Sequence, residues 1–181
     1  YGNEESVGAA IHKSGIPREQ IFVTTKLWNS DHGNPERALE TSLRKLQMDY
    51  VDLYLIHYPV RQRIQSWHAL ELLRERGKAR SIGVSNFTIN HLTELLRQTK
   101  TIPSVNQVEF HPYLYQRDLL NFCRRSGIVL EAYSPLTKGE RLKDRKLVAI
   151  ANKYPTSPRE GANSRSRPSI LRKFSRDSNT K

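Results

Sequence analysis

Asp49-Tyr50-Val51-Asp52-Leu53-Tyr54-Leu55-Ile56-His57-Tyr58-Pro59 decides the fold. Val51, Leu53, Leu55 and Ile56 form a short apolar run with acidic residues before it and proline after it. Strands of parallel sheets, buried on both faces, read this way. Pro59 cannot donate to a ladder and stops the pairing. His57 therefore stands at the carboxyl end of a parallel strand, where α/β folds place their chemistry. A lone histidine there is as readily a satisfied structural residue.

The same arrangement recurs along the chain. Ile21-Phe22-Val23-Thr24-Thr25 is β-branched and aromatic and ends at Lys26. Ser81-Ile82-Gly83-Val84 ends at Ser85-Asn86, and Ser104-Val105-Asn106-Gln107-Val108 carries a buried-looking amide. Ile128-Val129-Leu130-Glu131-Ala132 ends at Tyr133-Ser134. Lys26, His57, Asn86, Gln107 and Tyr133 are spaced by 31, 29, 21 and 26 residues. A strand, a helix and two loops take roughly 30 residues. The chain thus reads as successive βα units, each bringing a polar group to one rim. Crossovers of one hand wind such strands consistently toward a barrel.

Helices are expected between the strands. Asn3 is placed to cap the first, with Val7, Ala10 and Ile11 as its apolar stripe and Gly15 as its end. Ala38, Leu39, Leu43 and Leu46 form the next stripe, followed by Trp67, Leu70, Leu72 and Leu73. Thr88 caps a helix bearing Leu92, Leu95 and Leu96. The later helices carry Leu119, Leu120, Phe122 and Cys123, then Leu147, Val148, Ile150 and Ala151.

Composition bounds the rest. The 181 residues suffice for one domain with a core. The net charge of +12 is uneven: residues 155–181 hold seven Lys/Arg against two Asp/Glu. That segment has no sustained apolar period and reads as a disordered basic tail following a domain over residues 1–154. Arg165-Ser166-Arg167 is an Arg/Ser signal without the aromatic platform that single-stranded nucleic-acid binding uses. The single Cys123 allows no disulfide within the chain, which suits a reducing, cytoplasmic setting. No apolar run approaches the ~18 residues of a membrane span. With no initiating methionine, the sequence is expected to start inside a longer protein.

Six motifs resemble the aldo-keto reductase family. They are Tyr1-Gly2-Asn3-Glu4, Thr25-Lys26-Leu27-Trp28, Leu55-Ile56-His57-Tyr58-Pro59, Gly83-Val84-Ser85-Asn86-Phe87, Asn106-Gln107-Val108-Glu109-Phe110-His111-Pro112 and Ala132-Tyr133-Ser134-Pro135-Leu136. They stand in the family's order and at βα spacing, between Tyr1 and Tyr154. The resemblance implies an α/β fold, a partial (β/α)8 TIM barrel with about five βα units present. It implies NADPH-dependent reduction of aldehydes and ketones to alcohols, with Tyr1 as proton donor beside Lys26 and His57. Ser85, Asn86 and Gln107 would hold the nicotinamide carboxamide and Tyr133 would stack on its ring. Ser134 and Leu136 would approach the pyrophosphate through their backbone. Trp28, Tyr58 and His57 would line the pocket of a small carbonyl substrate. The resemblance implies a monomeric full-length protein and assigns no metal ligand.

Those residue types suit the chemistry. Hydride arriving at a carbonyl carbon leaves charge on oxygen, which needs a proton. A free phenol, with a pKa of ~10, is a weak acid at neutral pH. A neighbouring ammonium, the part Lys26 would play, favours the phenolate and so helps the proton leave. A histidine can donate a hydrogen bond to the carbonyl and orient it.

The family's catalytic aspartate and first two strands would precede Tyr1. Its last strand and its 2′-phosphate segment would follow Tyr154, where this sequence turns Pro/Ser/Arg-rich; a frameshift or alternative splice near Pro155 would account for that. The alternative reading is a catalytically dead barrel fragment that binds a partner, through the basic tail for example.

Overall fold

The computed structural model describes residues 1–153. The expected tail, residues 155–181, lies outside them. Helices and strands alternate: α1 (Glu4–Ser14), β1 (Thr24–Leu27), α2 (Pro35–Leu46), β2 (Val51–Ile56), α3 (Arg63–Glu75), β3 (Ala79–Ser85), α4 (Ile89–Gln98), β4 (Val105–Glu109), α5 (Arg117–Arg125), β5 (Val129–Tyr133) and α6 (Arg145–Ala151). That makes five βα units, as the spacing predicts. The strands form one sheet in the order β1-β2-β3-β4-β5. Sequence order equals spatial order, so every crossover steps the same way. Doubly wound sheets reverse at a switch point; barrels do not.

The chain divides into two compact units. Among the described residues, one comprises Tyr1–Asn106 and Phe122–Leu130; the other comprises Gln107–Asn121 and the residues from Glu131 onward.

In the first unit β2 is buried at every position, as its apolar run requires. It pairs in parallel with β1, Lys26 opposite Leu55 and Leu27 opposite Ile56, and with β3, Leu55 opposite Gly83. Gly83 is a close approach: a Cβ there would come within 2.7 Å of Leu55 Cδ2 and of the Val105 carbonyl oxygen. Helices cover the sheet with Leu39, Leu43 and Leu46 from α2 and Trp67, Leu70 and Leu73 from α3, all buried. Leu92 and Leu95 of α4 are buried too. Thr88 caps α4 in a capping box completed by His91.

Four expectations are corrected. The first strand starts at Thr24, not Ile21. The Val23 N–H is held by the Asp52 carboxylate at 2.9 Å, so the chain joins the ladder one residue later; Phe22 is 69% exposed. Asn3 occupies the N-cap of α1 but its side chain makes no capping bond. Val7, Ala10 and Ile11 are not a core stripe; only Gly8 of α1 is buried. Leu72 of α3 is 44% exposed, since the helix faces the sheet through Trp67, Leu70 and Leu73.

At the amino ends of the strands, buried Asp52 binds Arg18 at 2.7 Å and Arg80 at 3.4 Å. The two guanidiniums each lie over the Tyr50 ring, 4.2 and 4.1 Å from its centroid. The acidic boundary of the β2 run is therefore a charged lock, set at the end of the strands opposite to His57.

In the second unit, Asp144 caps α6 by accepting from the Lys146 and Leu147 amides. Burial and a hydrogen bond to Asp144 push the Tyr113 phenol up to about 12.

Candidate active site

β1, β2 and β3 end level with one another in the first unit. Lys26 is the penultimate residue of β1, and Trp28 follows that strand. His57 follows β2, tied back by its N–H to the Leu27 carbonyl at 3.2 Å. Ser85 ends β3 and Asn86 follows it. Lys26, His57, Ser85 and Asn86 therefore share the carboxyl rim of these three strands. Tyr1 arrives from the segment before α1.

Three polar groups converge there. Lys26 Nζ donates to the Tyr1 hydroxyl at 3.3 Å, and His57 Nε2 lies 3.4 Å from the same oxygen. The Lys26 ammonium also sits 5.3 Å from the Tyr1 ring centroid. Aromatic rings frame the cluster. Trp28 stacks on His57 at 4.5 Å between centroids and meets Tyr1 edge-on at 5.4 Å. Tyr58 packs edge-on against His57 at 4.7 Å.

Burial holds the His57 imidazole below its usual pKa, and the Lys26 ammonium pushes the same way. His57 Nδ1 is buried and has no hydrogen-bond partner among the described residues. A proton on it would be a buried donor without an acceptor, which costs free energy. The neutral ring with its proton on Nε2 is therefore favoured, and that donor faces the Tyr1 hydroxyl.

Asn86 adopts a left-handed backbone, φ 62°, a conformation asparagine tolerates better than most residues. Its side-chain amide donates to the His57 carbonyl at 3.0 Å and to Ser85 Oγ at 3.1 Å. Ser85 is buried. The loop after β3 is braced by a residue whose part the sequence did not disclose. Fully buried Asn106 donates to the Phe87 carbonyl at 2.9 Å and accepts from the Phe87 amide at 3.3 Å. Its signal was available: an amide beside Gln107 in a strand must face the layer opposite to Gln107.

The remaining candidates belong to the second unit. Gln107 is half-buried and sits at the middle of β4, not at its end. Tyr133 is the last residue of β5. Ser134, with φ 49°, and Leu136 lie in the loop that follows. Leu136 has φ −99° and ψ 9°, and Thr137 follows at φ 48°. A right-handed residue followed by a left-handed one can form an anion-binding concavity, and here its Thr137 N–H is taken by the Ser134 carbonyl oxygen at 3.0 Å.

A βα sheet wound in one direction, with Tyr1, Lys26 and His57 gathered at its carboxyl rim, defines a barrel-type α/β protein. The sequence model of the Aldo/keto reductase family matches residues 1–175, past the Leu136 where the quoted motifs end, and the chain belongs to that family. A glyoxal reductase of Bacillus subtilis is 50% identical over 157 residues, which are 85% of this chain and 57% of that protein. An aldo/keto reductase from Brucella melitensis has a crystal structure similar at TM-score 0.85 and 46% identity, over 90% of this chain and 64% of that one. A Bombyx mori aldo-keto reductase in complex with NADP is similar at TM-score 0.82 and 38% identity, over 88% of this chain and 61% of that one. The chain thus spans little more than half the length of the glyoxal reductase. Among the described residues no helix is long and apolar enough to cross a membrane.

Proposed function

We propose that the protein reduces aldehydes and ketones to alcohols with NADPH, with Tyr1 as the proton donor. The observation that carries this is the convergence of Lys26 Nζ and His57 Nε2 on the Tyr1 hydroxyl. A bound reduced nicotinamide supplies a hydride. His57 Nε2–H donates to the substrate carbonyl oxygen and orients it beside Tyr1. As the carbon gains the hydride, the C=O π pair moves to oxygen, and that oxygen takes the phenolic proton. The Lys26 ammonium stabilises the phenolate left behind. Positioned acid catalysis of this kind is worth ~10²–10⁴-fold. Trp28 and Tyr58 supply the apolar walls for a small carbonyl compound; the glyoxal reductase relative carries such a substrate in its name.

Ser85, Asn86 and Gln107 are assigned to the carboxamide, Tyr133 to the nicotinamide face, and the Ser134 and Leu136 backbone to the pyrophosphate. NADP in the Bombyx mori relative supports the choice of cofactor. The single cysteine, buried in α5, supports a reducing compartment such as the cytoplasm. A monomer without a nucleic-acid partner completes the proposal.

The test is reduction of an aromatic aldehyde by this chain flanked by the B. subtilis glyoxal reductase segments that lie outside the match. Tyr1→Phe is expected to abolish turnover while the NADPH dissociation constant stays nearly unchanged. Activity retained within about tenfold, ~1.4 kcal/mol of barrier, would rule out Tyr1 as the acid.

A further inference from the structure

We propose that Glu4 is a positioning residue for Tyr1 and acts through Thr25; the inference rests on the reading of Tyr1 as the acid. Among the described residues the Tyr1 ring meets the rim itself, Trp28 edge-on at 5.4 Å and Lys26 Nζ 5.3 Å from its centroid. The next residue adds no constraint. Gly2 takes φ 69° with nothing within 4 Å of where a Cβ would sit. Asn3, at the N-cap, makes no side-chain bond to the helix. The first side chain after Tyr1 with a fixed partner on the sheet is Glu4, whose Oε1 accepts from Thr25 Oγ1 at 2.8 Å in a part-buried setting.

Thr25 is the strand neighbour of Lys26. Successive strand residues point to opposite faces, so one backbone unit separates the pin from the ammonium. The distance from Lys26 Nζ to the Tyr1 hydroxyl is then set by a short path: Lys26, Thr25, Glu4 and the three residues back to Tyr1. The other seats of α1 lie further along. Gly8 abuts the Leu46 backbone, and His12 Nε2 reaches the Gln47 carbonyl oxygen at 3.0 Å. They fix the helix against the end of α2 but leave its first turn to the Glu4–Thr25 bond. Acid catalysis is sensitive to such placement: a shift of about 1 Å can cost about 10²-fold.

Four variants decide it. Thr25→Val keeps the shape and removes the donor; Glu4→Ala removes the acceptor. Thr25→Ser and Glu4→Gln keep a donor and an acceptor. In the full chain, nuclear Overhauser contacts between the Tyr1 and Trp28 rings are expected to vanish in the first pair and persist in the second. In the active protein, the first pair is expected to lose about 10- to 100-fold in kcat. KM and the NADPH dissociation constant should hold, and the second pair should stay close to the parent. Ring contacts that persist in Thr25→Val and Glu4→Ala overturn the proposal, as does equal loss of kcat in all four. Tyr1→Phe separates the two readings: unimpaired turnover there refutes Tyr1 as the acid and leaves the ring contacts to judge the pin alone.

Discussion

Lys26 and His57 reach the same hydroxyl oxygen from different strands, and their replacements should be unequal. Lys26→Met keeps the length of the side chain and removes the ammonium that stabilises the phenolate. It is expected to lower kcat/KM by about 10²–10⁴-fold with little change in NADPH affinity. His57→Gln keeps an N–H donor for the carbonyl, so its loss should be smaller and fall partly on KM. Steady-state kinetics on one aldehyde series check both; a His57→Gln defect larger than that of Lys26→Met would exchange the two roles. These residues were legible because strand-end spacing and motif order both named them. Asn106 was not. Periodicity marks which face an amide takes, but the loop backbone it braces, at Phe87, depends on a register that only the folded sheet fixes.

Elements repeat that contrast. The apolar run of β2 disclosed a strand buried on both faces because burial is what such a run is for. Helix α1 misled, because it is held by a close backbone approach and polar contacts instead of an apolar stripe. A Cβ on Gly8 would meet the Leu46 carbonyl oxygen at 2.4 Å and its carbon at 2.7 Å. Backbone cannot swing aside as a side-chain tip can, so Gly8→Ala should destabilise by about 1–3 kcal/mol, read by urea unfolding. A Gly8→Ala protein as stable as the parent would mean that α1 is not seated on α2 in this way. The Asp52 lock predicts a larger effect. Asp52→Ala strands the Arg18 guanidinium and the Val23 amide together, and breaking a buried pair costs about 3–5 kcal/mol. Because the lock lies away from the rim, the surviving folded protein should keep its NADPH affinity.

At the scale of the whole molecule, the order of five strands was legible from spacing alone, since βα units of about 30 residues leave few alternatives. The acid response was not, because it depends on burial of particular rings. Burial holds His32 below its usual pKa, against a raising influence from Asp31. His57 is lowered by burial, then by Lys26. His91 is lowered by burial and by Arg63, with Glu94 opposing. Each ring has a reason to stay neutral. His32 Nδ1 is 2.7 Å from Ser66 Oγ, and its Nε2 is buried with no partner among the described residues. His91 Nδ1 accepts from the Thr88 amide at 3.3 Å in the capping box. In the unfolded chain all three take a proton near 6.5. Between that value and the lower folded ones, the unfolded state binds more protons, so stability rises with pH. The contribution is whole above about pH 6.5 and is lost as the pH falls through the folded values. The melting temperature should therefore fall between about pH 7.5 and about pH 5.5, before the carboxylates titrate. His32→Gln should flatten that slope, whatever it does to the melting temperature at neutral pH. A slope unchanged in His32→Gln, His57→Gln and His91→Gln together would show that these rings are not what acid attacks.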